Sequence, residues 1–318
     1  MTRRIEPASA IFTGADGNKL AADVFGERGG PVLLLHGGGQ TRHAWGGTAA
    51  RIARNGMTAY ALDQRGHGDS DWIATGAYTF PDFAKDAATV ADELARRSGV
   101  RPIAIGASLG GVAALMAEGL AEKAGRATAH VPEKWDPVFR KGHAPNKKVF
   151  SALVLVDITP RVDGNGVAKI QGFMRAHAQE GFATVAEAAD AVAAYLPHRP
   201  RPRSHDGLKK NLRLHPDGRW RWHWDPRFLD GPHPISEAHE QVEAALIAAA
   251  KSLEIPALLV RGASSELVQE AHAREFLDLV PHAEYADVSG ARHMVAGDKN
   301  DQFSEAILGF LGKLESRA

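Results

Sequence analysis

Ser108 stands in Gly106-Ala107-Ser108-Leu109-Gly110, a G-x-S-x-G pentapeptide directly after an apolar run and directly before an Ala/Leu/Met-rich helical stretch. That order of strand, turn and helix carries chemistry. The flanking glycines allow a sharp, strained turn, which projects the hydroxyl from the end of a sheet at a helix N-terminus. A serine hydroxyl is a poor nucleophile until a neighbouring base takes its proton, and histidine titrates in the right range. Among fifteen histidines, His293 is set apart because it follows the last apolar strand, in Gly290-Ala291-Arg292-His293-Met294. Earlier, His36-Gly37-Gly38-Gly39 ends the apolar run Val32-Leu33-Leu34-Leu35. Glycines there let backbone N–H groups approach a developing oxyanion with no side chain between. A dinucleotide-binding G-x-G-x-x-G would need glycine at position 42, which is Arg42.

The elements that must position these residues follow from the hydrophobic pattern. Short apolar runs alternate with amphipathic helices, the signature of an α/β sheet. Strands are predicted at 10–13, 19–25, 57–62, 102–105, 152–156, 256–260 and 283–288, besides 32–35. Helices are predicted at 82–98, 111–121 and 301–314. Residues 160–250 separate two core strands by far more chain than a crossover requires. They contain helical stretches at 166–178, 183–195 and 236–251, and read as an inserted, mainly helical cap. The core is then 1–159 and 251–318. Residues 121–150, rich in Lys, Arg and Pro, read as a surface insertion. Within the cap, Trp220, Trp222 and Trp224 alternate with Arg219, Arg221 and His223 at strand period. The indoles either bind cap to core or line an apolar pocket, with Gly39 as a further candidate substrate contact.

Taken together, these residues resemble the α/β-hydrolase fold family, in its serine-nucleophile, esterase-like branch. The resemblance spans nearly the whole chain: His36-Gly37-Gly38, Asp63-x-Arg65-Gly66-x-Gly68-x-Ser70, Gly106-x-Ser108-x-Gly110, the loop at Gly262, and His293, in the family's order. It implies a mostly parallel eight-stranded sheet flanked by helices. It also implies Ser108 as nucleophile, His293 as general base, and the amides of Gly38 and Leu109 as the oxyanion hole. The Asp63–Ser70 segment is expected to be structural, with Arg65 tying loops together. The acid departs from the common pattern. The family usually places Asp about three residues after the glycine ending this strand, and Gly262-Ala263-Ser264-Ser265-Glu266 has serine there and Glu266 one further on. Glu266 is the expected triad acid, since either carboxylate can orient the imidazole. Asp157, after the preceding core strand, is the reserve.

Composition narrows the function. Lys plus Arg is 38 and Asp plus Glu is 38, so the chain is formally neutral. Neutrality disfavours nucleic acid and polybasic membrane attachment. No stretch is apolar for the ~18 residues of a membrane span, and the N-terminus does not read as a secretory signal. With no cysteine, a thiol nucleophile and a thiolate metal site are excluded, and a cytoplasmic address is compatible. The other histidines show no ligand spacing, so no metal or cofactor is expected. The expected activity is hydrolysis of small-molecule carboxylic esters through an acyl-enzyme. Lactonase, C–C hydrolase, and cofactor-free haloperoxidase or perhydrolase chemistry could use the same residues, and a hydrolase-fold ligand receptor is the alternative of another class.

Overall fold

A computed structural model describes residues 5–128, 148–197, 204–291 and 300–316, and no side chain is described at 122–128 or 300–302. The central runs are apolar at every position, which suits strands covered on both faces. β3 (Pro31–Leu35) and β6 (Ala152–Val156) are buried throughout, as is β9 (Ala257–Gly262). With β1 (Ala8–Thr13), β2 (Lys19–Phe25), β4 (Thr58–Leu62), β5 (Ile103–Ala107) and β10 (Glu284–Val288), they form one eight-stranded sheet in the order β1-β2-β4-β3-β5-β6-β9-β10. β2 pairs antiparallel with β1 and β4, and the other pairings are parallel. This is the mostly parallel α/β sheet expected from the sequence.

Helices cover both faces. α1 (Gly46–Arg54) and α10 (Asn300–Glu315) close one apolar cluster, around Val32, Leu34, Ile105 and Val154. α2 (Phe80–Ser98), α3 (Leu109–Thr128) and α9 (Glu270–Leu279) close the other, around Leu33, Leu35 and Leu153. α2 begins where Asp82 accepts a hydrogen bond from the Thr79 amide at 3.1 Å, and ends at Gly99 with φ +78. The hydrophobic pattern does not single out α1 or α9. α3 is longer than the pattern predicts, so residues 121–128 of the expected surface insertion are helical, and 129–147 lie outside the described residues.

Between β6 and β9 the chain runs through α4 (Gly164–Ala176), α5 (Val185–Tyr195), α6 (Asp206–Lys209), the hairpin β7 (Leu212–Leu214) and β8 (Trp220–Trp222), α7 (Arg227–Asp230) and α8 (His239–Lys251). α8 lies against the core. Its Val242, Leu246, Ala249 and Ala250 join the α3 side of the sheet, and a Cβ on Gly119 of α3 would sit 2.5 Å from that of Ala249. The last helix of the segment predicted as cap therefore packs as a layer of the core, because its apolar stripe meets small residues on α3.

The Asp63–Ser70 loop joins these parts. Arg65 is fully buried and holds Asp86 of α2 through Nε at 2.7 Å and Nη2 at 2.8 Å, and also donates to Asp16 and to the Ala77 carbonyl. The loop also reaches the insertion. Gly68 N–H donates to the His223 carbonyl at 2.7 Å, and Asp225 N–H to the Gly66 carbonyl at 2.8 Å. Removing one partner of a buried ion pair strands the other charge, at about 3–5 kcal/mol. Arg65→Met should therefore lower stability in urea by that order. Asp86→Asn in the same background should cost much less than it does alone, and equal costs in both backgrounds would show the pair to be uncoupled.

Candidate active site

The carboxyl ends of β3, β5, β6 and β9 lie along one edge of the sheet, the edge at which ligands bind in open α/β folds. Register brings the candidate residues together there. Leu35 pairs with Gly106 and Ala107 with Val156, so the glycine run, Ser108 and Asp157 follow directly on three adjacent strands.

Ser108 has φ +47, a left-handed conformation that costs a non-glycine residue about 1–3 kcal/mol and that clusters at functional sites. The turn is held by its own ladder bonds, with the Ser108 amide donating to the Val156 carbonyl at 3.1 Å and Val112 returning to the Ser108 carbonyl at 3.0 Å. The glycines are required by space. A Cβ on Gly106 would sit 2.4 Å from the Gly110 backbone, and one on Gly110 would sit 2.4 Å from the Leu35 carbonyl oxygen. β5 can therefore hand over to α3 only where two backbones touch.

The glycine run after β3 lies beside Ser108, and a Cβ on Gly37 would approach the Ser108 Cβ to 3.5 Å. Its amides are not equivalent. Gly37 N–H donates to Gln40 Oε1 at 3.2 Å, and Gly39 N–H to His67 Nε2 at 3.1 Å. Among the described residues, the amides of Gly38 and of Leu109, the first residue of α3, donate to no protein group.

Two buried imidazoles fix this loop. His67 is held by the Arg65 carbonyl at Nδ1, and accepts from Gly39 at Nε2. His36 is held by the Gly37 carbonyl at Nδ1, and accepts from the Gln64 amide at Nε2 at 3.0 Å. The rings lie 5.2 Å apart. Burial pushes His36 down to about 4 and His67 down to about 3, the latter lowered further by its neighbour His36. Sequence reasoning had no signal for His67, because its role depends on a loop from another strand.

The two candidate acids, Glu266 and Asp157, sit in different surroundings. Asp157 is fully buried at the end of β6 with φ +52. Its Oδ1 accepts the Gly262 amide at 3.1 Å, and its Oδ2 accepts the Ser265 hydroxyl at 2.7 Å. Ser265 is the serine that stands where the family usually has its acid, and here it orients Asp157 while accepting the Leu267 and Val268 amides. Glu266 lies beside α4. Its Oε1 lies 3.9 Å from Lys169 Nζ on α4, and its Oε2 is buried without a partner among the described residues. Its carboxylate, with burial as the larger cause, pushes the Tyr195 phenol up to about 12. Leu267, not Glu266, reaches the cavity above Ser108. His293 lies outside the described residues.

That cavity has a volume of about 280 Å³ and is roofed by the insertion. Trp222 and Trp224 line it with Gly38, Gly39, Met174 and Phe228. Trp220 does not, because its backbone pairs with Phe182 on the far side of the hairpin. Trp224 bridges to His67, so the insertion and the glycine-run loop are braced on the same residue. No group of three or more His, Cys, Asp or Glu suited to a metal occurs among the described residues, and none of their helices is long and apolar enough to cross a membrane.

With fold and site in view, comparisons with known proteins place the chain. Residues 32–306 match the Alpha/beta hydrolase family, and the chain belongs to it. It is 27% identical to an esterase, Rv0045c, of Mycobacterium tuberculosis over 88% of this chain and 82% of that protein. It is 26% identical to a 2-(acetamidomethylene)succinate hydrolase of Mesorhizobium japonicum over 93% of each. A crystal structure of an E-2-(acetamidomethylene)succinate hydrolase superposes with a TM-score of 0.76 at 23% identity, covering 96% of this chain and 99% of that one, a likeness of fold. The relatives support a hydrolase activity.

The two imidazoles set a pH dependence of stability. In the folded protein they stay neutral down to about pH 4 and 3, whereas in the unfolded chain they protonate below about 6.5. Unfolding therefore takes up protons as pH falls through 6.5, and the stability present above that value is lost at up to about 1.4 kcal/mol per pH unit for each ring. Urea unfolding at pH 7.5, 6.5 and 5.5 should show this slope, and His67→Gln should remove about half of it. An unchanged slope in His67→Gln would contradict the assignment.

Proposed function

We propose that the protein hydrolyses carboxylic esters of small molecules through Ser108, His293 and Asp157. The observation that carries the reading is the strained Ser108 in the cavity wall, with the amides of Gly38 and Leu109 unengaged among the described residues. The Ser108 hydroxyl attacks the ester carbonyl as the His293 imidazole takes its proton. The negative charge then developing on the carbonyl oxygen is met by the two amides, which are already aimed and need no reorganisation. The imidazolium returns its proton to the departing alcohol. Water, deprotonated by the same ring, then attacks the acyl-enzyme and releases the acid.

Asp157, in place of Glu266, is the acid of this proposal. A triad carboxylate must be held rigidly to fix the imidazole tautomer and stabilise the imidazolium. Asp157 has the strained backbone and fixed hydrogen bonds for that task, while the Glu266 carboxylate faces Lys169 of α4. Residues 160–238 act as the cap, with Trp222 and Trp224 contacting substrate beside Gly39. The reaction as written draws on protein groups and water alone, and its partner is the small-molecule ester.

Hydrolysis of p-nitrophenyl butyrate tests the proposal. Ser108→Ala should lower kcat by about 10³-fold or more, and Asp157→Asn by about 10²–10⁴-fold. Glu266→Gln should stay within about threefold of the parent. Equal slow turnover in Ser108→Ala and the parent would sink the nucleophile assignment. A collapse confined to Glu266→Gln would return the acid to Glu266.

A further inference from the structure

The walls of the cavity carry almost no charge. Its lining is aliphatic and aromatic, with Ile170, Phe173, Val192, Val242 and Leu246 facing one another across it from α4, α5 and α8. Gln40, Thr159, Gln171, Asn211 and Ser236 supply neutral polar groups. Among the described lining residues there is no Lys or Arg and one carboxylate, Glu243, with His239 one turn before it on α8. The described cations near this wall are already paired. Arg161 binds Glu243 through Nε at 2.9 Å and also pairs with Glu275, so this stretch of the wall's edge is net negative. Lys169 lies against Glu266 and over the Tyr195 ring.

A carboxylate entering such a space would lose its hydration without gaining a partner charge, a cost of several kcal/mol for an ion. An aliphatic chain would lose only unfavourable hydration. We propose that the acyl group is an uncharged aliphatic chain of medium length, and that acyl groups ending in a carboxylate are rejected. This inference rests on the serine-hydrolase reading of Ser108. The volume bears on the length: a cavity of about 280 Å³ is larger than an acetyl group fills, so each further methylene that enters it buries apolar surface.

The test is a series of p-nitrophenyl esters with the wild-type protein, run from acetate through butyrate, hexanoate, octanoate and decanoate to palmitate. It is paired with the mono-p-nitrophenyl ester of adipic acid, which differs from the hexanoate only in a carboxylate for the terminal methyl. kcat/KM should rise by up to about fourfold for each methylene that enters the cavity, peak between hexanoate and decanoate, and fall at least tenfold at palmitate. The adipate ester should be at least a hundredfold poorer than the hexanoate. Ile170→Lys, which places a cation on the partly exposed wall of α4, should raise the adipate-to-hexanoate ratio about tenfold. A profile that peaks at acetate, or adipate within threefold of hexanoate, overturns the proposal, as does an unchanged ratio in folded Ile170→Lys. Labelling by an alkyl fluorophosphonate, read by mass spectrometry, separates the two levels. If Ser108 is labelled stoichiometrically but the series fails, only the substrate class is wrong. If Ser108 is not labelled and no ester turns over, the hydrolase reading falls and this inference with it.

Discussion

The site depends on one close approach, the contact between β5 and the start of α3. Gly106 touches the backbone of Gly110, and Gly110 touches the carbonyl of Leu35. No side chain fits in either place. The chain therefore turns from strand to helix within one strained residue, and the Ser108 hydroxyl is lifted to the end of the sheet. The strain is held by parallel pairing to β3 and β6, which also sets the neighbours. Leu35 opposite Gly106 brings the glycine run alongside, and Val156 opposite Ala107 brings Asp157 alongside. Three strands held in register thus deliver the parts of the candidate site to one edge without further adjustment.

Around this edge the polar groups are arranged by elimination. Within the glycine run, Gln40 takes the Gly37 amide and His67 takes the Gly39 amide, while the Gly38 amide has no partner among the described residues and Gly38 lines the cavity. His67 can accept because burial keeps it neutral, so the same desolvation that costs stability in acid keeps the loop in shape at neutral pH. The insertion is attached through the same loop, where Trp224 bridges to His67 and the Asp225 amide donates to the Gly66 carbonyl at 2.8 Å. The roof of the cavity and the amides below it are therefore parts of one hydrogen-bonded unit.

Much of this was legible in the sequence. Continuous apolar runs mark strands covered on both faces, and the strands they predict match the observed ones to within a few residues. The G-x-S-x-G turn is legible because its glycines answer a local steric need. The surroundings of the two candidate acids were less legible. Glu266 is one residue from the expected position, but in a loop one residue changes the direction in which the side chain points. Glu266 turns to Lys169 of the insertion, while Ser265 bonds to Asp157. Sequence distance does not report that contact, because it joins two strand ends 108 residues apart.

The sequence by itself determined the class of fold, the strand–turn–helix at Ser108 and the glycine run after β3. Each of these follows from local sterics or from the period of apolar residues. It also excluded a thiol nucleophile, since the chain has no cysteine. Tertiary structure alone decided which amides remain unengaged, which carboxylate is buried beside the serine, that α8 packs with the core, and that Trp222 and Trp224 face the cavity while Trp220 does not. Those outcomes depend on register and on contacts between distant segments. A hydrogen bond or a shared wall is a property of positions in space, which the order of residues constrains only after the chain has packed.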